Sequence, residues 1–287
     1  LYVAEVISNS TGEVMRIAII ADIHGNLAAL EAVLARIETL SVDQIVVAGD
    51  VVVGSSDSLA CWERVKALGC PVLRGNHERY VSDLGTERAK PEWSTRQFGP
   101  VQFAAAQLGD SHRRELAALP AVVRVEGAED LLIVHGSARS DNDLVFPYTN
   151  EAELAPMFPG VLEKWIVRGH NHYAGVRLWG GRRIVTCGAT GLPLDGTTQA
   201  QFVVMTRAGG EWRAEHQAVA YDVGATLRRF RESGYLEAAG PMARLFMREV
   251  ETAAFHILPF QRFNAELIRA GKVLSLDDAV DAFMRRA

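Results

Sequence analysis

Ile17 to Ile20 are four apolar residues in a row with no polar alternation, which predicts a strand covered on both faces. The run gives way to Asp22-Ile23-His24-Gly25-Asn26, after which Leu27, Leu30, Val33, Leu34 and Ile37 recur at helical spacing to near Glu38. Two further units repeat this order. Gln44 to Ala48 predicts a strand that ends in Gly49-Asp50 and leads to a helix from Ser58 to Leu68, with Ser58 as its N-cap. Pro71 to Arg74 predicts a third strand, ending in Gly75-Asn76-His77-Glu78. Repeated strand-loop-helix units imply a parallel sheet with right-handed crossovers.

The texture then changes. Arg79 to Pro120 is polar, with Trp93, Phe98 and Phe103 spread through it and helical spacing from Phe103 to Leu119, so a mostly helical excursion is expected. Its aromatics either pack it onto the domain or form a lid over a site. Short β runs follow at Val122 to Val125, Leu131 to Val134, Trp165 to Arg168, Gly175 to Leu178, Arg183 to Thr186 and Phe202 to Thr206. Arg207-Ala208-Gly209-Gly210 predicts a hairpin turn into Glu211 to Val219, and the whole stretch a second, more antiparallel sheet. Asp222 to Ser233 and Pro241 to Ala287 are helical in period, with Gly271 ending one helix and Ser275 and Asp278 starting the last.

These boundaries divide the chain into a leader (1–14), a domain (15–220, with the excursion at 79–120) and a helical extension (221–287). The leader contains Ser8-Asn9-Ser10-Thr11-Gly12 and has no clear period; Met15 is a candidate start, and a strand from Tyr2 to Ile7 is the alternative. Apolar positions of the extension, among them Leu245, Phe246, Val250, Leu258 and Phe260, fit either packing onto the same chain or a homo-oligomer face.

Composition narrows the function classes. The 287 residues are 48% hydrophobic and 23% charged, ordinary for a globular protein. The net charge of -5 gives no general attraction to nucleic acid or anionic membrane, so a polyanionic substrate needs a local cationic site. Cys61, Cys70 and Cys187 are too few and scattered for a disulfide framework and read as small buried hydrophobes in a reducing compartment. No apolar run reaches the ~20 residues of a membrane helix, and the first residues lack a secretory pattern, so a cytoplasmic location is expected.

The candidate chemistry lies at predicted strand ends, where open α/β sheets bind ligands. In order the residues are Asp22, His24, Asp50, Asn76, His77, His135, His170 and His172, which include five of the chain's eight histidines. Imidazoles mixed with carboxylate and amide oxygens suit divalent manganese, iron, zinc or cobalt, and the lack of cysteine argues against a thiolate site. Asp22 and His24, like His170 and His172, project to one side if extended. Arg74 and Arg168 are expected in strand-end ion pairs, His112 on a solvated helix face, and His216 and His256 in structural roles.

In these motifs the chain resembles the calcineurin-like metallophosphoesterase family: Asp22-Ile23-His24, Gly49-Asp50, Gly75-Asn76-His77, His135-Gly136-Ser137 and Gly169-His170-Asn171-His172 stand in the family's order. The subgroup it resembles most is the short bacterial and archaeal phosphodiesterases. The resemblance implies an α/β fold, a two-sheet αββα sandwich with a helical insertion and a helical C-terminal extension. It also implies a centre of two divalent ions, manganese first, with iron, zinc, nickel or cobalt as alternatives. Asp22, His24 and His172 would hold the first ion, Asn76, His135 and His170 the second, and Asp50 would bridge them. Asn76 and His77 would contact the phosphate, with His77 assisting the leaving oxygen. Gly54-Ser55-Ser56-Asp57, Glu78 and Thr186-Cys187-Gly188-Ala189 depart from the subgroup without removing a ligand, and bear on which leaving group fits.

Two divalent ions a few ångströms apart activate a bridging hydroxide for in-line attack on phosphorus. A phosphodiesterase acting on a small phosphate ester or nucleotide is the expected function. The alternatives are a phosphomonoesterase (nucleotide or protein phosphatase) and a catalytically silent metal-binding scaffold. No sequence-specific nucleic-acid binding or membrane association is expected.

Overall fold

A computed structural model describes residues 14–286, so the leader, apart from Val14, lies outside the described residues. Two sheets pack face to face. The first has the order β2-β1-β8-β9, from β1 (Met15–Ile20), β2 (Gln44–Val47), β8 (Ala200–Ala208) and β9 (Glu211–Val219). The second has the order β3-β4-β5-β7-β6, from β3 (Val122–Arg124), β4 (Leu131–Val134), β5 (Trp165–Arg168), β6 (Ala174–Trp179) and β7 (Arg182–Cys187).

The continuous apolar run of β1 is explained by what lies on each side. Ile17 and Ile19 join Val203 and Met205 in the core between the sheets, with Ile133 and Val167 from the opposite sheet. Ala18 and Ile20, with Phe202 and Val204, face the helical layer. That layer contains α1 (Leu27–Glu38), α2 (Ser58–Lys66), α3 (Asn76–Asp83) and α4 (Gly99–Ala117). Leu30, Val33, Leu34 and Ile37 of α1 are its buried stripe, at the spacing the sequence shows.

Three expectations are corrected. The hairpin β8–β9 belongs to the first sheet: β8 pairs antiparallel with β1 from Met15–Arg207 to Ile19–Val203. An all-apolar β1 needs a neighbour on each side, and β8 is itself apolar on both faces through Val203 to Met205. The second sheet has a parallel centre, β4-β5-β7, with antiparallel β3 and β6 at its edges. Finally, Pro71 to Arg74 forms a single bridge, Val47 to Val72, not a strand. Pro71 has no N–H to donate, and the Arg74 N–H is drawn away to Pro120 O.

At the helix ends, Ser58 is the first residue of α2 rather than its cap, and its hydroxyl accepts the Val53 N–H. The helix of the excursion begins at Gly99, ahead of the expected Phe103, and is kinked at Gly109. Trp93 is buried against Tyr80 and Phe98, so much of the aromatic set packs the excursion onto its domain.

The second sheet is followed on its outer side by α5 (Glu151–Leu154), and the chain ends in α6 (Val223–Glu232), α7 (Tyr235–Ala238), α8 (Pro241–Thr252), α9 (Ile257–Arg269) and α10 (Leu276–Met284). Ser275 caps α10 by accepting the Asp278 N–H, as its spacing predicts. These helices lie against the chain itself: Phe230, Tyr235, Ala243, Phe246 and Val250 share a cluster with Leu192 and Leu194. Polar ties reinforce this packing. Tyr235 Oη donates to Gly54 O at 2.8 Å, and Arg229 pairs with Asp57 at 2.5 Å. Among the described residues no helix is long and apolar enough to cross a membrane.

Candidate metal centre

The residues singled out at strand ends converge at one edge of the sandwich. Asp22 and His24 follow β1, Asp50 follows β2, Asn76 and His77 open α3, His135 follows β4, and His170 and His172 follow β5. Five of them, Asp22, His24, Asp50, His170 and His172, have φ between 51° and 70°. The left-handed region is disfavoured for side chains other than glycine, at roughly 1–3 kcal/mol each, so the surrounding structure must hold them there. It does so through backbone bonds: Asp22 N to Gly49 O, His24 N to Asp50 O, and His170 N to the Asp22 carboxylate.

The tautomers follow from the partners. The Nδ1–H groups of His24, His135 and His172 donate to the carbonyls of Val53, Ala48 and Leu192 at 2.9, 2.8 and 2.6 Å. A carbonyl can only accept, so in the neutral ring the Nε2 atom carries a lone pair directed into the site. His24 Nε2 lies 3.1 Å from His172 Nε2, and His172 Nε2 lies 3.6 Å from Asp22 Oδ1. Two lone pairs and a carboxylate facing one another require a cation or a proton between them. This donor set, neutral imidazoles with buried carboxylates, suits a divalent ion, and the fixed Nδ1–H bonds are the usual support of a metal-binding histidine.

Ligand atoms gather in three groups, two of which contain Asp50. Asp22, His24 and His172 form one group that could hold an ion, Asp50, His135 and His170 a second, and His24, Asp50 and His77 a third. Asn76 extends the second group, its Oδ1 lying 3.1 Å from His135 Nε2. Asp50 sits between the groups: Oδ2 is 3.1 Å from His135 Nε2 and 3.8 Å from His24 Nε2, while Oδ1 accepts the His77 N–H at 2.9 Å.

Burial governs the charges. It pushes the Asp22 carboxyl up to about 8, with Asp50 adding to the rise and His135 opposing it. It also lowers His172 to about 4 and holds His24 and His170 well below the usual imidazole range, with neighbouring histidines reinforcing the effect. His135 and Asp50 behave as a pair. Burial opposes the charged form of each, yet their mutual attraction and hydrogen bond raise His135 to about 9 and hold Asp50 well below the carboxylate range.

His77 differs from the rest. Its side chain is 18% exposed, faces the opening, and has Nε2 4.0 Å from Asp50 Oδ2. Its Nδ1 is buried with no partner, and its ring meets His24 edge to face at 4.8 Å.

Several residues that support the site were not assigned a role from sequence. Glu78 is fully buried and accepts the N–H groups of Asp50, Val51, Val52 and Gly75, so one carboxylate fixes the loop that carries Asp50. A Glu at the third residue of a helix that follows glycine is a capping signal, and it could have been found on that basis. Val53, a β-branched residue at φ 68°, orients its carbonyl toward His24. Arg168 does not form the expected ion pair. It is fully buried and donates to Gly136 O, Asn171 Oδ1 and Asp143 O at 2.5, 2.8 and 2.8 Å, tying together the loops that carry His135 and His170. Among the described residues, the buried Nε of Arg74 has no hydrogen-bond partner. His216 Nε2 donates to Thr186 O at 2.8 Å, His256 contacts Thr252, and His112 contacts Glu115, and none of the three belongs to the groups that could hold an ion.

A family model described as the calcineurin-like phosphoesterase superfamily domain matches residues 15–209. A curated relative, the uncharacterized protein MJ0912 of Methanocaldococcus jannaschii, is 24% identical over 230 residues, 72% of this chain and 88% of that protein. Two solved structures share the fold across 84% of this chain and the whole of theirs. A metallophosphoesterase from Sphaerobacter thermophilus matches with a TM-score of 0.65 at 24% identity. The hypothetical protein PH1004 from Pyrococcus horikoshii matches with a TM-score of 0.67 at 17% identity.

Proposed function

The chain belongs to the calcineurin-like phosphoesterase superfamily, a family of phosphoester hydrolases, and from that premise we propose that it is a phosphodiesterase with two divalent metal ions. The observation that carries the proposal is the set of inward-facing Nε2 lone pairs around Asp50. In this reading Asp22, His24 and His172 hold one ion, Asn76, His135 and His170 the other, and Asp50 contacts both. Manganese suits the imidazole and oxygen donors. The bound ions would offset phosphoryl charge and lower the pKa of a water nucleophile.

The chain's own residues supply position and protons. Asp50 is kept ionised by His135 despite its burial, so it contributes a full negative charge where cations are needed. His77 is held below the usual imidazole range, first by burial, and is therefore neutral near pH 7. A neutral imidazole at the opening offers an N–H to a phosphoryl or leaving oxygen, and proton donation of this type contributes about 10²–10⁴-fold in rate. Residues 15–220 form the catalytic domain in this proposal, and 221–287 an extension that walls its cleft.

The test is hydrolysis of a chromogenic phosphodiester and its matching monoester with manganese, by wild type and Asp50→Asn in parallel. Diester turnover in the wild type, lost by at least about 10²-fold in Asp50→Asn, is expected on removal of a shared charge from a low-dielectric site. Preference for the monoester would make the protein a phosphomonoesterase. Turnover of neither would favour a metal-binding scaffold.

A further inference from the structure

A cavity of about 370 Å³ opens directly above the centre, with His24, Asp50, Asn76, His77, His170 and His172 among its lining residues. That size is within the range of small-molecule sites. Its walls come from separate parts of the chain: Phe98 and Val101 around the start of α4, Leu144 and Phe146 after β4, Leu192 after β7, and Phe246 from α8. They are apolar, and they are brought together by the helical excursion and the C-terminal extension.

The charges of the lining are as informative as its apolar surface. Among the described residues no lysine or arginine lines it, and its carboxylates are Asp50 and Glu249. Two guanidiniums on the framing elements are committed elsewhere, Arg79 to Asp141 at 2.7 Å and Arg168 to the loop carbonyls and Asn171. Ions bound by the proposed ligands would neutralise one phosphoryl group, while a second or third phosphate would lie in a largely apolar cleft with no counter-charge, a costly place for an anion. An uncharged apolar body would instead gain by leaving water.

We propose that this cavity holds the alcohol part of the substrate and selects phosphoesters with one phosphoryl group and an uncharged aryl or alkyl alcohol, in preference to nucleoside polyphosphates. The inference rests on the phosphoesterase reading above and deepens it. In the reaction water adds to phosphorus, the bond from phosphorus to the alcohol oxygen breaks, and the water proton ends on that oxygen, releasing the alcohol. The phosphoryl group lies at the floor and the apolar body toward Leu144 and Leu258. Both leucines line the cavity and are 40% and 41% exposed, so polar replacements there do not disturb a core.

Benzylphosphonate and methylphosphonate, whose P–C bonds resist hydrolysis, test binding to the manganese-loaded protein by calorimetry. Benzylphosphonate is expected to bind at least tenfold more tightly than methylphosphonate, and at least tenfold more tightly than ATP presented as its manganese complex. In Leu258→Asp and Leu144→Asp the benzyl-to-methyl ratio is expected to fall below threefold. Equal binding of the two phosphonates, or ATP binding as tightly as benzylphosphonate, overturns the proposal. Hydrolysis of 4-nitrophenyl methyl phosphate by the same preparation separates the two levels. Turnover with equal phosphonate binding removes the substrate class alone, and absence of turnover removes the phosphoesterase reading with it.

Discussion

The strand-end residues of the candidate centre combine backbone strain and buried titratable groups, both of which cost stability, with tautomers fixed by hydrogen bonds to main-chain carbonyls. Left-handed φ at Asp22, His24, Asp50, His170 and His172 turns each side chain toward one point. The carbonyls of Val53, Ala48 and Leu192 then decide which nitrogen faces that point. His77 is separable from the rest, because its exposed edge and longer distance to Asp50 place it at the opening rather than within a group of ligands at hydrogen-bond distance. His77→Ala is expected to lower kcat by about 10²–10⁴-fold with metal content unchanged by elemental analysis. Loss of metal together with activity would instead make His77 a ligand, as the grouping of His24, Asp50 and His77 allows. The residues that converge on the candidate centre were legible in the sequence because most of them stand where an apolar run ends. Those that hold them were less so: Glu78, Val53 and Arg168 act on loops that are distant or unremarkable in the sequence, and only the fold shows what they contact.

At the scale of elements, the site depends on close approach between loops. Gly191 N donates to Asp22 O at 2.9 Å, and Asn26 Nδ2 donates to Gly191 O at 2.8 Å, which stitches the loop after β7 to the loop after β1. A Cβ on Gly191 would lie 1.8 Å from Ile23 O and 2.6 Å from Ile23 C, both backbone atoms that cannot move alone. Gly191→Ala is therefore expected to destabilise the protein by about 2–4 kcal/mol, the cost of overpacking a site with no room to relax. Chemical denaturation measures it, and a change within 0.5 kcal/mol would show that the two loops separate easily. The strands themselves were mostly legible: β4 and β5 have the limits their apolar runs predict, and β9 those of the stretch after the hairpin turn. Sheet membership was not, because β8 and β9 read alike whichever sheet they join. What decides is that β1 has apolar side chains on both faces and needs a partner on the side away from β2.

At the scale of the molecule, the C-terminal helices are joined to the edge that carries the candidate centre rather than appended to it. Thr226 Oγ1 donates to Asn26 Oδ1, and Tyr235 Oη to Gly54 O, both at 2.8 Å. Glu249 of α8 is buried and accepts the N–H groups of His256 and Ile257 at 2.8 Å, fixing the corner into α9 beside the cavity. Burial pushes its carboxyl up to about 7 from 4.5, against the pull of those two N–H groups. The folded state therefore holds this proton more tightly than the unfolded chain. The stability linked to it is fully present below pH 4.5 and is lost as pH rises through about 7, up to about 3 kcal/mol. Glu249→Gln is expected to flatten this part of the stability profile between pH 4.5 and 7, measured by denaturation across that range; an unchanged slope would show that Glu249 is ionised at little cost.

In the proposed centre two divalent ions are held by separate sets of ligands that meet at Asp50. Anomalous diffraction at the manganese edge, from crystals grown with manganese, measures this directly. Two peaks are predicted, one among Asp22, His24 and His172 and one among Asn76, His135 and His170, with Asp50 in contact with both. A single peak, or a second peak held by His77 in place of Asn76, would contradict it.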